Sequence, residues 1–494
     1  MAVNEDIPEQ QSIRISPGLV SWKYRGLLMA VTLALLQLMN EVGALMAIPF
    51  YGSMAADLDF APAQASWAVA ATLLAGGASV PVMSKIGDLH GHRRVLIICL
   101  VLIVAGFTLS AVATNFVVLV TGRALVGVVA GQALTIGILN DRLSAADRGK
   151  AIGLVAAFQA VGIPLGLGLG GVLIDVGASW RTGFWIGAAL TALGLIATLL
   201  WVSESDARIR SRAKSQTVNY GGVVLMGIGL TSLCIGVNES TTWGMLSGGT
   251  IAFVIGGLVL ICASFYWESR SRHPLLNVRK AFSARLLPAY AVFVQTGIIG
   301  FILFSTVLGW AQTDPALLGY GFGISLVLAS MLFLPYVFAG LVAPRLIVPA
   351  LLRFPAKWVQ LSAAVACTVG VVIIYFGYAD IPTLVIGILV YAFGFTSLVA
   401  AAVNVIAAEA SEEQGAGTAS VYVAVALFAS ALGTVLFSAA IAAGHAPDAP
   451  PTPANYEAAL LIAVFSTLIG IVGSLLLSPD VRIGHRIKSP ERQS

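Results

Sequence analysis

The chain has 494 residues, of which 58% are hydrophobic and only 10% charged, with a formal net charge of +4. A soluble globular domain carries roughly 25% charged residues, so much of this surface must face lipid; a net charge this small, without a basic stripe interleaved with aromatics, argues against nucleic acid as a partner. The four cysteines (Cys99, Cys234, Cys262, Cys367) lie inside apolar runs without CxxC spacing, and all five histidines fall outside the long runs, so neither a clustered metal or redox centre nor a cofactor is expected.

In chain order, residues 1–22 are polar and the first apolar run follows Arg25. At about 24 residues it exceeds the roughly 7–15 of a signal peptide, so it reads as a first span. A helix crossing the hydrocarbon core needs about 20 apolar residues. Runs of that kind occur at 27–50, 66–86, 95–113, 116–139, 151–175, 183–202, 220–237, 248–267, 288–311, 323–347, 358–377, 383–407, 417–443 and 457–477. They predict an all-α integral membrane protein with fourteen transmembrane helices; the runs are continuous rather than alternating, which excludes a barrel.

With the N-terminus placed in the cytoplasm, all Lys and Arg residues except Arg123 and Arg181 fall at or inside the cytoplasmic boundary, as the positive-inside rule requires, and both termini are cytoplasmic. The two longest cytoplasmic connections flank a helix pair. The expected organisation is therefore a tail (1–22), a six-helix bundle (23–203), a linker (204–219), an inserted helix pair (220–267), a linker (268–287), a second six-helix bundle (288–477) and a tail (478–494). Paired six-helix halves are an architecture of transporters.

Ionisable side chains inside a span are costly and mark function by default. Glu41 in the first helix and Arg123 in the fourth both lie roughly 10–14 Å below the outer surface at 1.5 Å per residue. Their equal depth allows a direct or water-mediated pair. The expectation is that Glu41, with Arg123, is a proton site, loaded and released as a conformational change separates or hydrates the two. Gln37, Asn40, Gln132 and Gln159 from the first half, with Gln295, Tyr391, Asn404 and Tyr422 from the second, are candidates to line a mostly apolar cavity carrying a few hydrogen-bonding groups. Taken singly, such residues more often make packing hydrogen bonds between helices.

Between the second and third runs lies Ser84-Lys85-Ile86-Gly87-Asp88-Leu89-His90-Gly91-His92-Arg93-Arg94, a short glycine-containing turn at the cytoplasmic interface. It resembles the signature G-x-L-x-D-x-x-G-R-R of the major facilitator superfamily. Asp88, Gly91, Arg93 and Arg94 match; Ser84 replaces the first glycine, Ile86 the leucine and His92 one basic residue. Arg123 with Gly127, Asp147-Arg148-Gly149-Lys150 with Gly153, Trp180-Arg181 with Phe184, Glu268 with Pro274-Leu275-Leu276, and Glu412-Glu413 with Gly415 and Ala419-Ser420 extend the resemblance over nearly the whole chain. It points to the fourteen-helix branch of drug:proton antiporters and implies export, a gating role for Gly87, Asp88, Gly91, Arg93 and Arg94, and a monomer.

Two departures stand out. The branch resembled here has an acid nine residues before a proline in the first helix; counting back from Pro49 gives Asn40, and the acid is Glu41, turned by about 100 degrees. In the fifth helix, the antiporter pattern G-P-x-x-G-G appears as Gly162, Pro164, Gly166, Gly170 and Gly171, with the proline six residues before Gly170. Glycines in that pattern equally make a close helix-packing face.

The function expected is proton-coupled efflux of hydrophobic or amphipathic small molecules by alternating access, from a multi-pass position in a bacterial plasma (inner) membrane. Its partners are the substrate, protons and the lipid bilayer. Alternatives are uptake, or lipid or lysolipid movement, by the same fold. A membrane-embedded enzyme is the distant alternative, disfavoured because a single deep carboxylate and no intramembrane histidine leave no nucleophile–base pair. No P-loop is present, so the energy source is expected to be an ion gradient.

Overall fold

The structure is a computed structural model that describes residues 22–60, 65–128, 131–204, 220–244, 247–270, 286–409, 415–443 and 450–478. Nearly all of both tails and of the two expected linkers lies outside the described residues. So do the Pro274-Leu275-Leu276 segment, Glu412 and Glu413, and the side chains of Gln132 and Glu268.

Every described regular element is helical. The first half comprises α1 (Leu27–Leu45), α2 (Tyr51–Asp57), α3 (Ala65–His90), α4 (His92–Ala111), α5 (Phe116–Val126), α6 (Gly131–Arg142), α7 (Ala145–Asp175) and α8 (Trp180–Trp201). Then come α9 (Tyr220–Trp243) and α10 (Gly248–Arg270). The second half comprises α11 (Leu287–Gln312), α12 (Pro315–Leu318), α13 (Leu326–Met331), α14 (Leu334–Arg353), α15 (Ala356–Gly377), α16 (Ile381–Glu409), α17 (Gly415–Ala442) and α18 (Pro453–Leu476).

Twelve helices among the described residues are long and apolar enough to cross a membrane, against fourteen apolar runs in the sequence. The run at 116–139 divides into α5 and α6 on either side of residues 129–130, which are not described. The run at 220–237 lies within α9, several of whose side chains are not described. The tenth run is also interrupted, at Leu332–Phe333 between α13 and α14. Side-chain caps set several helix starts: Asn115 accepts the Val118 amide before α5, Ser144 the Asp147 amide before α7, and Ser325 the Leu328 amide before α13.

Each half packs around its own apolar core. One draws on residues from Met29 to Val202, centred on α1, α4, α6 and α8. The other, in two clusters, draws on Leu286 to Leu477, with Leu167 of α7 buried in it and Leu45 of α1 packed against it from the first half. The halves meet along two seams. At one, α3 packs on α17, with Leu74 against Ala431 and Phe428 beside them. At the other, α7 packs on α13 and α14. The inserted α9 pairs with α10 and leans on both α3 and α17.

Candidate functional site

Glu41 stands in the last two turns of α1, half-buried, and its Oε1 accepts a hydrogen bond from Gln159 Nε2 of α7 at 2.9 Å. The two helices approach closely because α7 turns glycines toward α1. An added Cβ at Gly162 would lie 2.7 Å from Glu41 Cβ, one at Gly166 3.0 Å from Val42 Cα, and one at Gly170 2.8 Å from the Met46 carbonyl oxygen. Residues four apart share a helix face, so the three form one stripe along Glu41's own helix. Gly168 and Gly171 face the other way: Cβ atoms there would meet Ser330 Oγ at 3.2 Å and the Val327 amide at 2.9 Å, both in the second half. Pro164 lies within this stretch without ending the helix. The glycine motif is thus a two-sided joint, one face on the helix of the half-buried acid and the other on α13.

Arg123 has a different environment. It is only 2% exposed, its Nε donates to the Ala68 carbonyl of α3 at 3.1 Å, and its own carbonyl accepts from Thr72 Oγ1 at 3.0 Å. Its guanidinium carbon lies 5.8 Å from the centre of the Phe184 ring. The direct Glu41–Arg123 pair that equal depth allows is not made: Glu41 turns to α7 and Arg123 to α3. Equal depth fixes height in the membrane but not the direction in which each helix points its side chain.

The expected cavity-lining residues separate into two groups. Asn40, Gln159 and Asn404 keep partial exposure, with Asn404 Nδ2 donating to the Ala400 carbonyl one turn back. Gln37, Gln295, Tyr391 and Tyr422 are buried. The Gln295 amide donates to Cys367 Sγ, and its oxygen occupies the space a side chain at Gly470 would need; Tyr391 packs edge-on against Tyr336; Tyr422 stacks on Phe293. These are packing contacts inside the second half.

At the opposite end of α3, the Gly87–Arg94 turn is fixed from two directions. Gly91 has φ +104°, and a Cβ there would lie 2.7 Å from Glu204 Oε1. Glu204, just beyond α8, accepts the Arg93 amide at 3.0 Å and lies 3.7 Å from Arg94 Nε, while Arg93 Nη2 donates to the Leu199 carbonyl. Asp88 Oδ1 lies 3.1 Å from His92 Nε2, and His92 Nδ1 lies 3.7 Å from Asp141 Oδ2 at the end of α6. Asp141 and Glu204 are parts of this corner that the sequence pattern did not single out, and His92 enters that pattern only as the replacement of a basic residue. On the same side, the Ser144 hydroxyl and then Lys150 hold the Asp147 carboxyl below its ordinary range at the start of α7. Among the described residues, no three His, Cys, Asp or Glu side chains are grouped to hold a metal ion.

The sequence profile of the Major Facilitator Superfamily matches residues 33–434. The chain belongs to that superfamily. As a major facilitator protein it is a multi-pass membrane transporter, not an enzyme. It is 28% identical over 309 residues to an uncharacterized MFS-type transporter of Mycobacterium tuberculosis, covering 62% of this chain and 43% of that protein. It is 27% identical over 285 residues to a probable triacylglyceride transporter of Mycobacterium leprae, covering 54% of each. It is 24% identical over 280 residues to multidrug resistance protein 3 of Bacillus subtilis, covering 56% of this chain and 52% of that one. The match thus spans about half the length of these curated relatives. Among solved structures, the human organic anion transporter MFSD10 superposes with a TM-score of 0.62 at 15% identity, covering 92% of this chain and 99% of that one. The POT family transporter PepTSo superposes with a TM-score of 0.60 at 13% identity, covering 93% and 97%. At these identities the likeness is one of fold.

Proposed function

We propose that this major facilitator protein is a proton-driven exporter of hydrophobic or amphipathic small molecules, with Glu41 as the proton site. The observation that carries the reading is the Gln159–Glu41 hydrogen bond beside Gly162: the half-buried acid sits against the α7 joint that also touches the second half. A change in charge at Glu41 alters the α1–α7 contact directly, and α7 passes the change to α13. The proposal includes fourteen spans, counting α5 with α6 as one and α9 as another; the Asp88 turn and both termini on the cytoplasmic side of a bacterial plasma membrane; and action as a monomer. The Bacillus subtilis relative named for multidrug resistance supports export. The Mycobacterium leprae relative named for triacylglyceride transport favours a second reading, movement of a lipid by the same route.

The test uses purified protein in liposomes loaded with a pH-sensitive dye under an imposed proton gradient. Hydrophobic cations, neutral drugs and lysolipids are added to wild type and to Glu41→Gln. Substrate-dependent proton flux in wild type, lost in Glu41→Gln, is the expected result. Lipid movement without proton flux would replace this reading with the second one, and full proton flux in Glu41→Gln would remove Glu41 from the mechanism.

A further inference from the structure

The corner between α14 and α15 brings cations and bare apolar side chains onto one surface. From Pro315 to Ala379 the chain has no acidic residue, whereas Arg345, Arg353 and Lys357 fall close together near its middle. One side of the corner is fixed: Leu351, Ala356 and Val359 are buried in one cluster with Leu398, Val405 and Ile406 of α16. The other side is open. Phe354 and Trp358 are each 60% exposed, and Leu346 and Leu352 are exposed with them. Arg353 is exposed beside them and Lys357 half-buried.

Residues seven apart share a helix face, so Leu346 and Arg353 line one strip of α14 and charge is interleaved with apolar surface. Among the described residues, none of the three cations takes part in an ion pair. Arg345 turns back along its own helix, where Nη1 donates to the Leu341 carbonyl at 2.9 Å, so the corner itself is left with Arg353 and Lys357. The corresponding corner of the first half, between α3 and α4, differs. There Glu204 accepts the Arg93 amide and faces Arg94 at 3.7 Å. The first half carries an anion of its own beside its cations, and the second leaves its cations to the surroundings.

The chemistry of those surroundings follows from the mixture. A soluble anion would meet the cations but leave Leu352, Phe354 and Trp358 in water. A phospholipid with an acidic headgroup satisfies both: its phosphate accepts charge-assisted hydrogen bonds from arginine and lysine, and its acyl chains cover the apolar groups. The end of a membrane-spanning helix is also the depth at which headgroups and exposed tryptophans meet. We propose that the α14–α15 corner binds an anionic phospholipid, with the phosphate between Arg353 and Lys357 and the acyl chains along Leu352, Phe354 and Trp358. The lipid is a fixed ligand of the second half rather than a transported molecule, and the site stands whether or not Glu41 carries the transported proton.

Native mass spectrometry of the full chain in detergent, titrated with phosphatidylglycerol and separately with phosphatidylcholine, tests it. Wild type is expected to retain phosphatidylglycerol in preference, and inorganic phosphate is expected not to displace it. In the double variant Arg353→Gln, Lys357→Gln the affinity for phosphatidylglycerol is expected to fall at least about tenfold, the factor carried by one charge-assisted hydrogen bond. Trp358→Ala keeps every charge and is expected to weaken the lipid as well; it decides the matter if the double variant does not fold. Lys150→Gln removes a cation that Asp147 already pairs and is expected to leave the affinity unchanged. Equal retention of the two lipids by wild type, undiminished binding in the double variant or in Trp358→Ala, an equal loss in Lys150→Gln, or displacement by inorganic phosphate overturns the proposal.

Discussion

The Gln159 side chain reaches from α7 to the carboxyl group of Glu41 on α1, with 2.9 Å between Nε2 and Oε1. In Gln159→Leu this donor is lost while the acid stays. Substrate-driven proton flux is expected to fall about tenfold, the worth of one hydrogen bond to a charged group, and to be lost altogether in Glu41→Gln. Dye-reported flux in liposomes separates the two variants; equal flux in Gln159→Leu and wild type would make the contact incidental.

The glycine joint makes a position-specific prediction. Gly170→Ala places a methyl 2.8 Å from the Met46 carbonyl oxygen and 2.9 Å from Pro49 Cγ, in a contact made partly of backbone. It is expected to cost about 1–3 kcal/mol, as overpacking does, read as a lower unfolding temperature in detergent. Gly153→Ala, nearer the start of the same helix, meets nothing within 4 Å and is expected to be neutral or stabilising.

Arg123 ties α5 to α3 through the Ala68 carbonyl. Arg123→Ala is expected to destabilise the protein by about 2–3 kcal/mol, the size of a charged hydrogen bond, without moving the pH profile of transport. Retained stability with a shifted pH profile would instead give Arg123 a part in proton coupling.

Gly91 adopts φ +104° with Glu204 against its missing side chain. Gly91→Ala is expected to cost about 1–2 kcal/mol for the backbone conformation alone and to displace Glu204 from the Arg93 amide. Comparing its unfolding temperature with that of Glu204→Gln distinguishes the two contributions, since the second variant removes only the charge.

The sequence makes the helices legible because lipid demands long continuous apolar runs, and it makes the Asp88 turn and the glycine motif legible because backbone approach requires particular residue types at fixed spacing. Partner choice is less legible. Glu41 and Arg123 share a depth, yet depth along a helix axis says nothing of azimuth, and each turns to a different neighbour. Asp141 lies far along the chain from His92, and only the meeting of α4 with α6 brings them together. Gln295 and Tyr391 resemble cavity residues by type, but helix packing within the second half buries them. The interruption at Leu332–Phe333 is also hidden, since the apolar run passes through it unbroken.

The position of α9 has a consequence for how molecules dissolved in the bilayer meet this protein. By leaning on both α3 and α17, α9 lies over one of the two seams between the halves, while among the described residues no comparable helix lies over the seam between α7 and α14. The lipid-facing surroundings of the two seams therefore differ among the described residues: the α3–α17 seam is screened by a helix, and the flank where the glycine joint lies carries none.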